Sequence, residues 1–135
     1  MKKKYTIPKL HDRCATLLQK IVRIKAADRD GYAQCVTCNT KHHWKDLQGG
    51  HFIERGKLST KLLEENIHPQ CAGCNMYGMK KASVVLSYRR YMVDMYGEKF
   101  VKSLELQSKQ VKKYTRIELE DLYKELSKQL DYLCR

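Results

Sequence analysis

Apolar residues recur at three- and four-residue steps through Leu10, Cys14, Leu17, Leu18, Ile21 and Ile24, with lysine and arginine on the other face. That period predicts an amphipathic helix over residues 8–29. Gly31 in RDGYAQC breaks the pattern, and residues 32–54 become short-ranged and β-prone around Trp44 and Phe52. They read as a cysteine knuckle followed by a β-hairpin, with Gly49 and Gly50 as its turn. Residues 55–70 read mostly as loop, with one helical turn near 61–65. From Cys71 an irregular helix leads through NMYGMKKAS into a firmer helix at 83–96, closed by Gly97. GEKFVKSLELQSK offers a further short helix. Thr115 and Glu118 form a capping-box pattern, opening a helix with Leu119, Leu122, Leu126, Leu130 and Leu133 in one stripe. That stripe is expected to pack on the N-terminal helix.

This organisation predicts a single domain over 1–135: an N-terminal helix at 8–30, a core at 32–82 and a helical part at 83–135. No repeat, low-complexity tract or linker interrupts it. Twenty-seven lysines and arginines against 15 acids give a formal charge of +12, which points to a polyanionic partner, nucleic acid before others. The excess is concentrated in residues 1–50, with 11 basic and four acidic side chains. MKKK is followed by no apolar run, so no signal peptide is expected, and no stretch is apolar enough for a bilayer. A cytoplasmic protein with no membrane partner is the expectation.

Two Cys-x-x-Cys pairs, Cys35/Cys38 and Cys71/Cys74, supply four soft thiolates, the donor set of a closed structural zinc site. A redox or disulfide role is the alternative. Cys14 and Cys134 stand alone and read as core or free thiols. A knuckle, a hairpin and then a helix carrying the second pair is the treble-clef arrangement. In a domain this small, folding is expected to depend heavily on the metal.

Three further positions stand out. His51 follows two glycines, Asn66 lies in ENIHPQC, and Asn75 follows the last clustered cysteine. Their order resembles the HNH, or ββα-metal, nuclease motif on a treble clef, seen also in relatives of phage endonuclease VII. More widely, GGHFIERG, NIHPQCAGCN, YMVDMYGEKF and KYTRIELEDLYKEL resemble the phage lambda NinG (Rap) family over roughly residues 10–130.

The resemblance implies an α+β fold: a zinc-stabilised treble-clef ββα-metal core with flanking N- and C-terminal helices. It implies a phage-encoded endonuclease of recombination, acting on branched DNA such as Holliday junctions and D-loops. Within it, His51 is the general base, Asn66 fixes the loop between hairpin and helix, and Asn75 holds a catalytic Mg²⁺ or Mn²⁺. The chemistry is coherent: a neutral imidazole accepts a proton from water, and a hard divalent ion on oxygen ligands offsets charge on the phosphate.

The chain also departs from the pattern. Some members carry Asp three residues before the catalytic His, where this chain has Gln48, and the residue just before His51 is Gly50. Gln48 is taken as the companion of Asn75, with Asp46 and Glu54 open as alternatives. The family's Gly-Asn beyond the second cysteine pair is replaced here by GMKKAS.

Arg55, Lys57, Lys61, Lys80 and Lys81 flank the site and are the expected DNA phosphate contacts. His68 is expected to order its loop, His11 to lie on the helix surface, and Tyr77, Tyr88, Tyr91 and Tyr96 to be core. His42 and His43 are left over once four cysteines bind zinc. Symmetric junction cleavage favours a two-fold dimer. Two other readings stay open: a non-catalytic zinc-containing DNA-binding accessory protein, and an HNH nicking enzyme on linear duplex.

Overall fold

The Thr6 hydroxyl accepts a hydrogen bond from the Lys9 amide, so the first helix, α1, starts at Ile7 and runs to Ala26. The computed structural model describes residues 4–135. Helix α1 stops short of residue 29 because Asp28 folds the chain into a turn. Its carboxylate accepts hydrogen bonds from the amides of Asp30 and Tyr32, both at 2.9 Å.

Two small antiparallel sheets follow. Strands β1 (Tyr32–Gln34) and β2 (Lys41–His43) flank the first cysteine pair, with Asn39 turning the chain at φ 64°. Strand β3 (Gln48–His51) pairs with β4 (Ile67–Gln70), with Gln48 opposite Gln70 and His51 opposite Ile67. Between them lies a loop with a single helical turn, α2 (Leu58–Lys61).

The hairpin expected inside 32–54 is therefore two different pairings, and β4 lies in a stretch that reads as loop. Pro69, which cannot donate to a ladder, hides that strand in the sequence. The two glycines are not the turn either. They sit inside β3 because neighbours press on the strand. A Cβ on Gly49 would lie 2.7 Å from the Gln19 Cα of α1, and one on Gly50 would lie 1.8 Å from the Gln70 Oε1.

From within the second cysteine pair the chain coils as a π-type turn (Gly73–Tyr77) and a 3₁₀ turn (Gly78–Lys80) before helix α3 (Ala82–Tyr96). Gly97, at φ 92°, closes α3 and opens α4 (Glu98–Gln107). Helix α5 (Arg116–Leu133) begins with the full Thr115–Glu118 capping box. Its Leu119 and Leu126 are buried against Leu10, Cys14, Leu18 and Ile21 of α1, with Leu122, Leu130 and Leu133 partly buried beside them. A second cluster joins Tyr88 and Met92 of α3 to Val101 and Leu104 of α4. The result is a mixed α+β chain in which α1 lies across β3 and β4 on one side and α5 on the other. Among the described residues, no helix is long and apolar enough to cross a membrane.

The close approach at β3 has a measurable consequence. Gly49→Ala is expected to lower unfolding stability by about 1–3 kcal/mol in denaturant titrations, because the α1 backbone must retreat. Gly56→Ala, with nothing within 4 Å, should change it by less than about 0.5 kcal/mol.

Candidate functional site

The knuckle between β1 and β2 is tied to β4 by the Val36 amide, which donates to the Pro69 carbonyl at 3.0 Å. This brings Cys35 and Cys38 to the end of β4, where Cys71 and Cys74 follow. The four Sγ atoms lie within 4.8 Å of one another. Cys38 and Cys71 sulfurs are 3.8 Å apart. A tetrahedral ion with Zn–S bonds of about 2.3 Å separates its sulfurs by about 3.8 Å, so the donor set and its spacing fit one zinc. Hydroxyls support the sulfurs: Thr37 Oγ1 is 3.3 Å from Cys35 Sγ, and Thr40 Oγ1 is 3.0 Å from Cys38 Sγ. His42 and His43 stay outside this set; His42 Nε2 is 2.8 Å from the Thr40 hydroxyl, and His43 caps the short turn Trp44–Asp46.

A cleft of about 350 Å³ is lined by His51, Glu54, Arg55, Asn75, Gln19 and Met79 among others. His51 is the last residue of β3. Its Nε2 is 2.9 Å from the Lys61 carbonyl, a partner that only accepts, so Nε2 carries the proton and Nδ1 is the basic nitrogen. Among the described residues Nδ1 makes no hydrogen bond, and the ring lines the cleft. Burial pushes the imidazole down to about 4, so it is neutral throughout the neutral range.

The carbonyl that orients His51 is itself held. Asn66 is fully buried; its Nδ2 donates to the Thr60 and Ile53 carbonyls at 3.1 and 3.0 Å, and its Oδ1 accepts from the Ile53 amide at 2.8 Å. Asn66 therefore closes the loop that carries Lys61 and stands behind the cleft. Asn75 and Gln48 meet: Asn75 Nδ2 donates to Gln48 Oε1 at 2.7 Å, leaving Asn75 Oδ1 without a partner among the described residues. Of the alternative acids, Glu54 lines the cleft and Asp46 does not.

Several expectations change. Lys61 is not an exposed phosphate contact: its side chain is 9% exposed, and Nζ bonds Asp12 Oδ1 at 2.7 Å. Arg55 reaches the same carboxylate at 3.5 Å but stays exposed at the cleft, and Lys57, Lys80 and Lys81 are exposed. His11 is buried rather than on the surface, with its ring edge-on to Tyr114, because α5 covers that face of α1. Tyr77 is 65% exposed, turned out by the π-type coil, whereas Tyr88 is wholly buried.

His68 lies on β4 and not in a loop. Tyr88 donates to the Gly50 carbonyl at 2.7 Å and so accepts from His68 Nδ1 at 3.2 Å, which leaves His68 Nε2 to accept from Tyr96 at 2.8 Å. This network braces the residue before His51. Sequence reasoning missed it, together with the Lys61 carbonyl and Asp12. An acid on the basic face of α1 was the available signal for Asp12; a backbone carbonyl leaves none.

Two outcomes follow from this geometry. Purified protein is expected to hold one zinc per chain, and its removal by a strong chelator, or Cys71→Ser, should abolish the cooperative thermal transition. Burial also lowers His68 to about 4. Because both rings are favoured neutral when folded, the unfolded chain takes up protons first as pH falls below about 6.5. Stability present above that pH is then lost toward pH 4, by up to about 3 kcal/mol per ring. In an NMR titration, neither ring should move appreciably between pH 8 and about 5.5; a midpoint near 6.5 for either contradicts the burial argument.

Comparison with curated proteins and with solved structures finds no match. The family model described as Bacteriophage Lambda NinG protein matches residues 1–135. With the match running over its whole length, the chain belongs to the bacteriophage lambda NinG protein family.

Proposed function

We propose that this chain is a divalent-metal-dependent DNA endonuclease of the treble-clef HNH kind, acting on branched recombination intermediates. The observation that carries the reading is His51: a buried, neutral imidazole with Nε2 fixed on a carbonyl and Nδ1 left at a cleft. His68, in the core behind the same strand, has both nitrogens engaged and lines no part of the cleft. The cysteine knuckle, the β3–β4 pairing and the coil carrying Asn75 occur in the order of a treble clef with a ββα-metal site, which supports the same assignment.

The residues present fit a hard ion that keeps most of its waters. Asn75 Oδ1 and the carboxylate of Glu54 would hold it, with the Gln48 amide orienting Asn75. When bound, such an ion offsets the charge that develops on the scissile phosphate. The chain's own part is proton transfer and positioning. His51 Nδ1 accepts the proton of an attacking water, and the Lys61 carbonyl stabilises the imidazolium that results. Arg55 at the rim, with Lys57, Lys80 and Lys81, would contact backbone phosphates whatever the sequence. The carboxylate absent at Gln48 favours a second reading, a zinc-containing DNA-binding accessory protein that does not cut.

Cleavage of a four-way junction, a D-loop and a matched linear duplex separates these readings. The expected result is Mg²⁺- or Mn²⁺-dependent cutting of branched DNA over linear duplex. His51→Ala should keep its zinc and fold and cut about 10²–10⁴-fold more slowly. DNA binding without cutting by wild-type protein under any divalent ion supports the accessory reading, and equal cutting by His51→Ala removes the base assignment.

A further inference from the structure

A second cleft, of about 490 Å³, lies between the N-terminal part of α1 and the start of α5. Its walls carry Lys4, Arg13, Arg116 and Lys124 against one acid, Glu120. The arginines are held without acidic partners. The Arg13 guanidinium packs on the rings of Tyr5 and Tyr123, 4.0 and 4.6 Å from their centres, and Nη2 donates to the Tyr123 hydroxyl at 2.7 Å. Arg116 Nη1 donates to the Tyr5 carbonyl at 2.5 Å.

Elsewhere the half-buried Arg89 is neutralised by Glu98 and Glu105. Among the described residues, neither Arg13 nor Arg116 has a carboxylate within ion-pair distance. Two half-buried guanidiniums, fixed by neutral groups and flanked by two exposed lysines, are organised for an anion with several acceptor oxygens.

We infer that this cleft binds phosphodiester groups of DNA, on a segment other than the one lying in the His51 cleft. The inference rests on the DNA-cleaving reading and gives its substrate a second point of attachment. The two clefts share α1: Gln19 lines one and Arg13 the other, six residues apart and about 9 Å along the helix axis. A third depression, lined by Lys9, Asp12 and Arg13, shares Arg13 with the second cleft, and Arg55 of the first cleft reaches its Asp12. Branched DNA presents a second arm to such a surface, which a short linear duplex in the first cleft does not.

The test is Lys4→Ala/Lys124→Ala, which removes two exposed charges and leaves the arginine packing intact. Lys99→Ala/Lys102→Ala on α4 is the charge-matched control. Binding to a fluorescent four-way junction, with and without 5′-phosphates, is measured by anisotropy from 50 to 200 mM salt. The α1–α5 variant should bind about tenfold more weakly at 100 mM salt, with a log K against log salt slope shallower by about 2, on both junctions. In cleavage, KM should rise about tenfold with kcat unchanged.

Unchanged affinity and slope, or an equal loss in the control, overturns the inference. A loss confined to phosphorylated ends overturns it too, in favour of a terminal-phosphate site. Intact binding without cleavage by wild-type protein defeats the nuclease reading but not the cleft, whereas no binding of any DNA defeats both.

Discussion

The hydrogen bond from His51 to the Lys61 carbonyl is the contact on which the cleft depends. It fixes both the tautomer and the plane of the ring, and a backbone acceptor can do so only if its own loop is still. Asn66 makes three hydrogen bonds across that loop, to Ile53 and Thr60, from a fully buried position. The Lys61 ammonium, on the same residue, is anchored to Asp12 of α1. One residue thereby joins the imidazole, the loop and the first helix. The other flank of His51 is braced through Gly50, whose carbonyl accepts from Tyr88. The ring is thereby held in one tautomer and one plane, and it lines the cleft.

Packing forces are arranged around that constraint. Helix α1 can lie against β3 only because Gly49 has no side chain, so the strand that ends in His51 is pressed between α1 and β4. The four-cysteine cluster closes the same unit from the far end. The knuckle hooks onto β4 at Pro69, and the second cysteine pair starts the coil that delivers Asn75 to Gln48. Among the described residues the buried apolar side chains fall into three clusters, and a metal at that junction would tie the small sheets together where these clusters do not merge.

How much of this the sequence discloses depends on what kind of partner each residue has. Helix periodicity, the Thr115–Glu118 box and the Gly97 stop are local signals, and the corresponding helices form where those signals lie. Cysteine spacing is nearly as local, and the thiols do converge. Strand β4 was not legible because His-Pro-Gln reads as a loop until β3 is supplied as its partner. Gly49 carries its meaning in helix α1, at Gln19, and Gly50 in strand β4, at Gln70. In the sequence Lys61 reads as any exposed cation beside a basic site; its ammonium is held by Asp12, 49 residues earlier. His11 reads as a surface residue for the same reason: Tyr114, just before α5, meets its ring from the far end of the chain. Which groups stand near Asn75 is likewise a matter of tertiary placement: Gln48 Oε1 accepts from it, Glu54 lines the same cleft, and Asp46 does not line it.

The His51 imidazole is neutral at physiological pH, protonated at Nε2 and bare at Nδ1. A long-range ¹H–¹⁵N correlation spectrum of the zinc-bound protein at pH 7 reads that state directly for His51. The expected spectrum shows a protonated, hydrogen-bonded Nε2 and an unprotonated Nδ1. A ring protonated at Nδ1, or at both nitrogens, would contradict it.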